Sequence, residues 1–481
     1  MSSNGRKRAA PASGRSAKAR KPRKPVSEDE DSNDSSLSDQ LPPEPPRTPS
    51  PMVDEPMVKL PEELLRSFYK TPGRLMIAGM VSWDLVAKRE NNPTKRSHPN
   101  LFTFHKFTDR RYRLIVSGCS AGHSILISDD GKAYTFGRNN CGQLGFGDTI
   151  TRNEPQLVPG LMDHNIIHAA VGRNHSLFVT DTGAVYACGD NKSGQCGLGS
   201  TAPQVLKPTR VRYNGAPIVK VGCGAEFSMI LDCNGALHSF GLPEYGQLGH
   251  NTDGKYFVTS TKLSYHFETV PKHVALFFEK SKEGHVSPVR DVDIVDFSCG
   301  NNHTVAIDSK KRAFSWGFGG FGRLGHAEQK DESVPRLIKY FDSQARGVRS
   351  VHCGATYSLA VNENGEQVAI DSKKRAFSWG FGGFGRLGHA EQKDESVPRL
   401  IKYFDSQARG VRSVHCGATY SLAVNENGEQ AHVHTNKHTC TQTSTRAHKQ
   451  AHVHTNKHTC AQTSTRAHKQ AHVHTNKHTC T

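Results

Sequence analysis

Residues 299–326 read CGNNHTVAIDSKKRAFSWGFGGFGRLGH, and their pattern recurs along the chain. The stretch passes from a Gly to a histidine, an apolar strand and a turn, and then runs through a second strand into a Gly-rich loop. Three further copies of this cassette occupy residues 119–148, 171–200 and 223–250. Alternating strands joined by tight turns predict hairpins, and a unit repeated about every 50 residues predicts an all-β fold, a β-propeller of small sheets around an axis.

The turns of the cassettes support the hairpins independently. They read DDGK at residues 129–132, DTGA at 181–184 and DCNGA at 232–236. Asp-Gly and Asn-Gly pairs adopt the positive φ that two-residue hairpin turns require. One slot of the Gly-rich loop holds four residues that we expect to fill the space between adjacent sheets: Leu144, Cys196, Leu248 and Leu324.

The composition limits the classes of function. The 481 residues are 35% hydrophobic and carry a net charge of +17, but residues 1–25 hold nine Lys/Arg without an acid and residues 431–481 hold seven. Residues 26–55 carry −8, so residues 56–430 keep +9, which is weak support for a nucleic-acid groove. The sequence has no apolar run long enough to span a bilayer and no Cys-x-x-Cys pair. We therefore expect no membrane insertion, and free thiols in a reducing compartment.

Residues 1–70 are predicted to be a disordered tail, because their basic, acidic and Pro-rich runs bury too little apolar surface to offset chain entropy. Basic runs of this kind suit nuclear import or an anionic surface, and the alternative is a tail that only solubilises the chain. The import or anion-binding candidates are Arg6, Lys7, Arg8, Lys18, Arg20, Lys21, Arg23 and Lys24. Thr48 and Ser50 each precede a proline and are candidate phosphorylation sites.

One cassette is longer than the others. Phe227 and His303 are 76 residues apart, whereas His123 and His175 are 52 apart. The additional residues lie within 255–290 and mix apolar with charged side chains. Long insertions on one face of a repeat protein often carry partner contacts. An extra hairpin without a function is the alternative.

The C-terminal part departs from the cassette pattern. Residues 305–367 recur without a change as residues 368–430, which indicates a recent duplication or an error in gene assembly. The copy is out of phase, because it adds a third strand where the cassette has two; we expect strain or disorder near Gln367–Lys374 unless that strand is looped out. Residues 431–481 repeat a His/Thr-rich unit of 20 residues and are predicted to be disordered. The propeller repeats are therefore assigned to residues 71–367.

The chemistry-bearing motifs favour a protein that is not an enzyme. Residues 317–322 fit a dinucleotide fingerprint formally, but Arg-Leu-Gly-His follows them where a helix would be needed. Cys119 and His123 have a metal-ligand spacing, yet the same slot holds Phe227 in a sister cassette, which favours a packing role. The histidines of the C-terminal repeat are expected to bind metal only adventitiously. We predict no catalytic residues, no cofactor, no metal site and no small-molecule substrate.

Several stretches resemble the regulator of chromosome condensation repeat family. They are SWDL (82–85), GRNHSL (172–177), CGAEFSMI (223–230), PEYGQLGHNTDGK (243–255) and SWGFGGFGRLGHAEQKDESVPRL (315–337). The last two are long, and they are most similar to the branch of mitotic telophase-disc passenger proteins. The resemblance ends near residue 365 and implies a propeller of about seven blades, whose last two are replaced here by the copy and the tail.

The resemblance also implies a function. It implies a scaffold and regulator of small GTPases of the Rac, Ral or Arf type, with guanine-nucleotide exchange attributed to the family. It further implies binding to microtubules, chromatin or centromeres in mitosis, with localisation to the nucleus, cytoplasm, mitotic chromosomes, spindle and midbody. No short motif in the chain marks exchange residues.

Three other interpretations stay open at this point. The first is a chromatin-binding propeller that acts on nucleosomes and the Ran GTPase. The second is an NAD(P)-binding oxidoreductase that uses residues 317–322. The third is a sequence without a folded product, because the copy and the tail interrupt the expected ring.

Overall fold

A computed structural model describes most of the cassette region. The described residues are 59–79, 101–342, 347–362, 375–406, 411–425, 429–433, 440–444 and 462–463. Their helices are α1 (Glu62–Phe68), α2 (Lys339–Asp342) and α3 (Lys402–Ser406), with 3₁₀ turns at Pro159–Leu161, Gly320–Gly322 and Gly383–Gly385. Among these residues no helix has the length and apolar content needed to cross a membrane.

Antiparallel strands pair in chain order in the first three sheets. The first sheet is β1 (Gly73–Gly79), β2 (Leu101–Ser117), β3 (His123–Ser128), β4 (Ala133–Gly137) and β5 (Arg152–Leu157). The second is β6 (Ile166–Val171), β7 (His175–Thr180), β8 (Val185–Asp190) and β9 (Gln204–Arg210). The third is β10 (Ile218–Cys223), β11 (Phe227–Asp232), β12 (Leu237–Gly241) and β15 (Glu268–His273), and its loop holds a separate hairpin of β13 (Lys255–Thr259) and β14 (Lys262–Tyr265).

Three more sheets follow. The fourth has the order β17–β16–β21–β20–β19–β18, with β16 (Phe278–Lys280), β17 (Val286–Pro288), β18 (Ile294–Cys299), β19 (His303–Asp308), β20 (Ala313–Gly317) and β21 (Glu332–Leu337). The fifth is β22 (Val348–Cys353), β23 (Tyr357–Asn362), β24 (Ala376–Gly380) and β25 (Glu395–Leu400). The sixth is β26 (Val411–Cys416), β27 (Ser421–Asn425), β28 (Glu429–Val433), β29 (Cys440–Ser444) and β30 (Gln462–Thr463).

These sheets form the predicted β-propeller. In the described residues the first five sheets each contain the four strands of a complete cassette, and we number them blades 1 to 5. The first strand of each blade packs on the inner strands of the preceding one: β6 contacts β2 and β3, β10 contacts β6 and β7, and β22 contacts β18 and β19. The fold class is therefore all-β, as the cassette pattern predicts.

Apolar side chains fill the space between consecutive blades. The four residues of the Gly-rich loop slot are each at most 1% exposed: Leu144, Cys196, Leu248 and Leu324. Leu248 packs in one cluster with Phe314 and Trp316 of the next blade. Full burial of a leucine side chain stabilises a fold by about 1.5–3 kcal/mol relative to exposure, so this slot holds adjacent blades together as expected.

Helix α1 lies within the segment predicted to be a disordered tail. Leu60 and Leu65 are buried in a cluster built mainly from blades 2 and 3. The Leu60 N–H donates to Asp181 O at 2.9 Å, and Lys59 Nζ lies 3.6 Å from the Asp181 carboxylate. The folded body therefore includes residues 59–70. These two leucines anchor the segment, because they bury their apolar side chains in the cluster.

The copied segment continues the strand pairing. β24 repeats the sequence of β20 and pairs directly with β23. Asn362 N–H donates to Arg375 O at 3.1 Å, and Arg375 N–H donates to Asn362 Oδ1 at 3.0 Å, which closes the hairpin. Residues 363–374, which include the place where strain was expected, lie outside the described residues. Because β23 pairs with β24, the fifth sheet has no place for a third cassette strand between them.

The last sheet incorporates part of the His/Thr repeat. β28 pairs with β27, and β29 pairs with β28. These strands include residues 431–433 and 440–444, for which the sequence predicts disorder. Apart from Gln462 and Thr463 in β30, the rest of the repeat lies outside the described residues.

Candidate interaction site

The candidate site residues of the tail fall outside the described part of the chain. The basic run from Arg6 to Lys24 precedes Lys59, the first described residue, and so do Thr48 and Ser50. Import, anion binding and phosphorylation at these positions stay predictions. A site on the folded body therefore has to be built from the blades and their loops.

The Gly-rich stretch at residues 317–322 does not have the geometry of a dinucleotide site. Gly317 ends β20, residues 320–322 form a 3₁₀ turn, and the chain returns as β21 antiparallel to β20. A dinucleotide fingerprint needs a strand that leads into a helix N-terminus and then into a parallel strand. This stretch instead connects two antiparallel strands of blade 4. Residues 317–322 therefore do not support the oxidoreductase interpretation.

The cassette histidines join neighbouring blades. His123 Nε2 lies 2.8 Å from Ser176 Oγ, and His175 Nε2 lies 3.0 Å from Ser228 Oγ. The Ser228 hydroxyl donates to Gln195 O at 2.7 Å, so its oxygen is left to accept from His175 Nε2–H. Each such pair therefore ties one blade to the next through a chain of buried hydrogen bonds.

Burial keeps these histidines neutral. It lowers the pKa of His123 to about 3 and that of His175 to about 4. Phe227 fills the same slot in blade 3, and Tyr357 fills it in blade 5, where the Ser421 hydroxyl donates to its oxygen at 3.0 Å. A slot that accepts histidine, phenylalanine and tyrosine serves packing, whereas metal binding would require a ligand in each case.

The hairpin β13–β14 presents apolar side chains to solvent. Phe257 is 72% exposed, Val258 is 51% exposed and Leu263 is 41% exposed. The two strands form a sheet of their own, and Lys255 and Lys262 begin them. Contiguous exposed apolar residues on a soluble fold mark interaction sites. This hairpin is the strongest candidate for a partner contact in the insertion.

Polar contacts fix the base of the hairpin to blade 3. His266 N–H donates to Gly254 O at 2.8 Å, and the Tyr265 hydroxyl donates to Glu244 Oε1 at 3.2 Å. The ring of Tyr256 stacks on His266 with 4.1 Å between centroids. These contacts close the base of the hairpin below the Phe257–Leu263 pair, which lowers the ordering cost of binding.

The second half of the insertion has a different role. Strand β16 adds to blade 4 by pairing in parallel with β21, with Phe278 opposite Arg336. Lys280 Nζ lies 3.5 Å from Glu328 Oε1. The sequence predicts partner contacts only for residues 255–290 as a whole and identifies no individual side chain within them. The available signal was the run of Tyr256 to Val258, three large side chains without a polar one between them.

The fold and this hairpin define a β-propeller module that carries an exposed apolar hairpin. The chain belongs to the RCC1-like domain family, whose pattern matches residues 113–430.

Curated relatives match the same region. The chain is 45% identical to human Protein RCC2 over 355 residues, which cover 72% of this chain and 65% of the relative. It is 44% identical to zebrafish (Danio rerio) Protein RCC2 homolog, again over 72% of this chain and over 68% of the relative. The Arabidopsis thaliana ultraviolet-B receptor UVR8 is 28% identical over 60% of this chain and 58% of its own length. The chain thus spans about two thirds of the RCC2 relatives.

Solved structures agree with the fold. Human WBSCR16 superposes with a TM-score of 0.58 at 21% identity, over 76% of this chain and 89% of that chain. Prp20p from Saccharomyces cerevisiae superposes with a TM-score of 0.52 at 22% identity, over 66% and 72% respectively. At these identities the likeness concerns the fold alone.

Proposed function

We propose that the chain is a scaffold and regulator of small GTPases, and that the hairpin β13–β14 forms part of the GTPase contact. Membership of the RCC1-like domain family supports the class of function. The structure of Prp20p is described together with the binding properties of that protein to Gsp1p and histones. The observation that carries the proposal is the exposed apolar pair of Phe257 and Leu263, which face each other across the two strands of the hairpin.

The mechanism is differential binding, without covalent chemistry. A propeller that binds the nucleotide-free GTPase more tightly than the nucleotide-bound form weakens nucleotide affinity by the same factor, because the two equilibria are linked. Phe257 and Leu263 would supply the apolar anchor and Lys262 a charge at the rim. GTPases of the Rac, Ral or Arf type are the proposed partners. A role in mitosis and localisation to the nucleus, cytoplasm, mitotic chromosomes, spindle and midbody complete the proposal.

Release of a fluorescent GDP analogue from purified Rac-, Ral-, Arf- and Ran-type GTPases tests this function with the full chain. The double variant Phe257→Ser/Leu263→Ser is expected to weaken binding of the nucleotide-free GTPase about 10-fold or more, because it removes two exposed anchors. Val286→Ser is the matched control, since Val286 is 55% exposed on β17, which extends blade 4.

Four outcomes decide the proposal. Loss in the hairpin variant with parental behaviour of the control supports it. Parental binding by the hairpin variant removes the hairpin from the contact, and no binding to any of the four GTPase types removes the function. A response to the Ran type alone, together with nucleosome binding that falls steeply with salt, would favour the chromatin interpretation.

A further inference from the structure

Four side chains of blades 3 and 4 form a small niche beside the Gly-rich loop of blade 4, which we call the Arg323 niche. The ring of Tyr245 lies 4.8 Å from that of Phe318 between centroids. The Arg323 guanidinium carbon lies 4.5 Å from the centroid of Phe318 and 5.5 Å from that of Phe321. The niche thus consists of a cation enclosed by aromatic rings.

Arg323 is an incompletely satisfied buried cation. It is 2% exposed, and its Nε–H donates to Gly320 O at 2.9 Å. Within the described residues its Nη1 and Nη2 donate to no acceptor and form no ion pair. Buried charges in proteins are normally paired or fully hydrogen-bonded. The two nitrogens therefore leave a pair of donors in the niche.

In the copied blade, the equivalent arginine has hydrogen-bond acceptors for its Nη1. Arg386, the copy of Arg323, donates from Nη1 to Ala418 O at 2.8 Å and to Thr356 Oγ1 at 3.1 Å. In blade 4 the carbonyl equivalent to Ala418 O is Ala355 O, and it already accepts the Asn301 N–H at 3.3 Å. The same side chain thus has different hydrogen bonds in the two blades, since Nη1 is paired in blade 5, whereas Nη1 and Nη2 have no partner among the described residues in blade 4.

Charges around the niche limit what it can hold. Burial lowers the pKa of Arg323 to about 10 although Asp331 raises it, so the guanidinium stays charged at neutral pH. The Asp331 carboxylate accepts the Gly319 N–H at 2.8 Å, and Glu244 accepts from Tyr265 at 3.2 Å. The Asp331 carboxylate close to the guanidinium disfavours a polyanion but is compatible with one negative group on the guanidinium.

Phe321 has an unusual backbone conformation, which its copy Phe384 shares. Its φ is 62°, in the left-handed region that non-Gly residues rarely adopt, and its side chain is 39% exposed. The equivalent slots in blades 1 and 2 hold the buried Cys141 and Ser193. Backbone strain of this kind clusters at binding sites, where it presents a side chain.

We propose that the Arg323 niche binds one aspartate or glutamate side chain of an extended acidic peptide in a partner protein, with an adjacent apolar residue of that peptide on Phe321. The free nitrogens of a guanidinium match the two oxygens of a carboxylate. Aromatic faces around the cation accept the flanking apolar side chain. This surface is separate from the hairpin β13–β14 and does not depend on the proposed GTPase contact.

The test uses the full chain and a phage-displayed library of random dodecapeptides. Peptides selected on the parent are expected to be enriched in Asp or Glu next to Leu, Phe or Pro, and selection on Arg323→Gln is expected to lose the acidic preference. The best peptide and its Glu→Gln analogue are then titrated by fluorescence anisotropy. The parent should bind the acidic form about 10-fold or more tightly than the analogue, as for a charged hydrogen bond.

Titrating both peptides against the parent and against each variant isolates the contribution of the carboxylate contact to binding. Arg323→Gln should bind both peptides equally weakly, and Phe321→Ala should weaken both while keeping their ratio. Lys330→Gln, whose parent side chain is 78% exposed, and Val286→Ser, whose parent residue is 55% exposed, serve as controls that keep parental binding. Circular dichroism shows that each variant is folded. The proposal is overturned if no acidic preference emerges or if Arg323→Gln still discriminates between the two peptides.

Discussion

Two tryptophans with the same sequence around them have different hydrogen bonds. Trp316 Nε1–H donates to Gln247 O at 3.0 Å. Trp379, its copy, is fully buried, and within the described residues its Nε1–H has no partner. The carbonyl in the equivalent place, Arg323 O, accepts the Ser358 hydroxyl at 3.0 Å. Duplication therefore kept the side chain but not its hydrogen bond.

Matched substitutions of these tryptophans should separate the hydrogen bond from the packing. Trp316→Phe and Trp379→Phe remove the same atoms, but only the first takes a donor from Gln247 O. We expect Trp316→Phe to lower the free energy of unfolding by about 1–2 kcal/mol more than Trp379→Phe. Urea unfolding followed by circular dichroism measures both, and equal losses would contradict the assignment.

At the scale of elements, the joints between blades combine apolar filling with buried polar chains. Leu144 and its equivalents exclude water, and the His–Ser pairs then satisfy donors that water can no longer reach. The structure also explains why glycine occupies the hairpin turns. Gly183 has a φ of 78°, and an added Cβ there would lie 2.7 Å from the Pro217 Cα. The turn glycine in the sequence therefore marks a place where blades approach closely.

The histidine joints predict acid sensitivity. The folded-state pKa of His175, about 4, lies below the unfolded value of about 6.5, so the unfolded chain binds more protons between these pH values. The stability that the neutral joint provides is complete above about pH 6.5 and declines as the pH falls toward 4. At pH 5 the loss for this one group is about 2 kcal/mol.

The variant His175→Phe tests this dependence, because Phe227 shows that the slot accepts a phenylalanine. Its urea midpoint should fall less between pH 7.5 and pH 5 than that of the parent. His285→Phe, at an exposed position between β16 and β17, is the control and should keep the parental pH dependence. An unchanged slope in His175→Phe would show that the joint does not govern acid stability.

At the scale of the whole molecule, the duplication adds a blade rather than disrupting the array. The copy starts at residue 368, within the equivalent of β19, and its first used strand is β24. The fifth sheet has the order β22–β23–β24–β25, so no described strand of the copy lies between β23 and β24. A duplicated unit of this length therefore fits into the array of blades if its additional residues belong to the connection between β23 and β24.

Shortening that connection tests the arrangement. Replacement of residues 363–374 by an Asp-Thr-Gly turn, the sequence of residues 181–183 in blade 2, should keep the fold and raise the free energy of unfolding by about 1 kcal/mol, because a shorter loop costs less entropy to close. Thermal unfolding and limited proteolysis measure the effect. A variant that loses compactness would show that the excised residues contribute a strand.

The pattern of the sequence was sufficient for the class of fold. Hairpin turns, strand alternation and the buried slot of Leu144 are local features, because each depends on residues within one cassette. The candidate site was located only as a range, residues 255–290. Whether Phe257 is buried or exposed depends on which strands accept hydrogen bonds from β13, and that is settled by packing between distant segments.

Sequence by itself determined the repeat, the strand-turn-strand unit, the duplicated segment and the resemblance that names the family. The tertiary structure decided which strands of the copy are used, which arginine keeps free donors and which half of the insertion stays exposed. Arg323 and Arg386 show the reason, since identical sequences around them end in different hydrogen bonds. Local preferences fix the shape of a hairpin, whereas the partners of a buried polar group are fixed by the neighbouring blade.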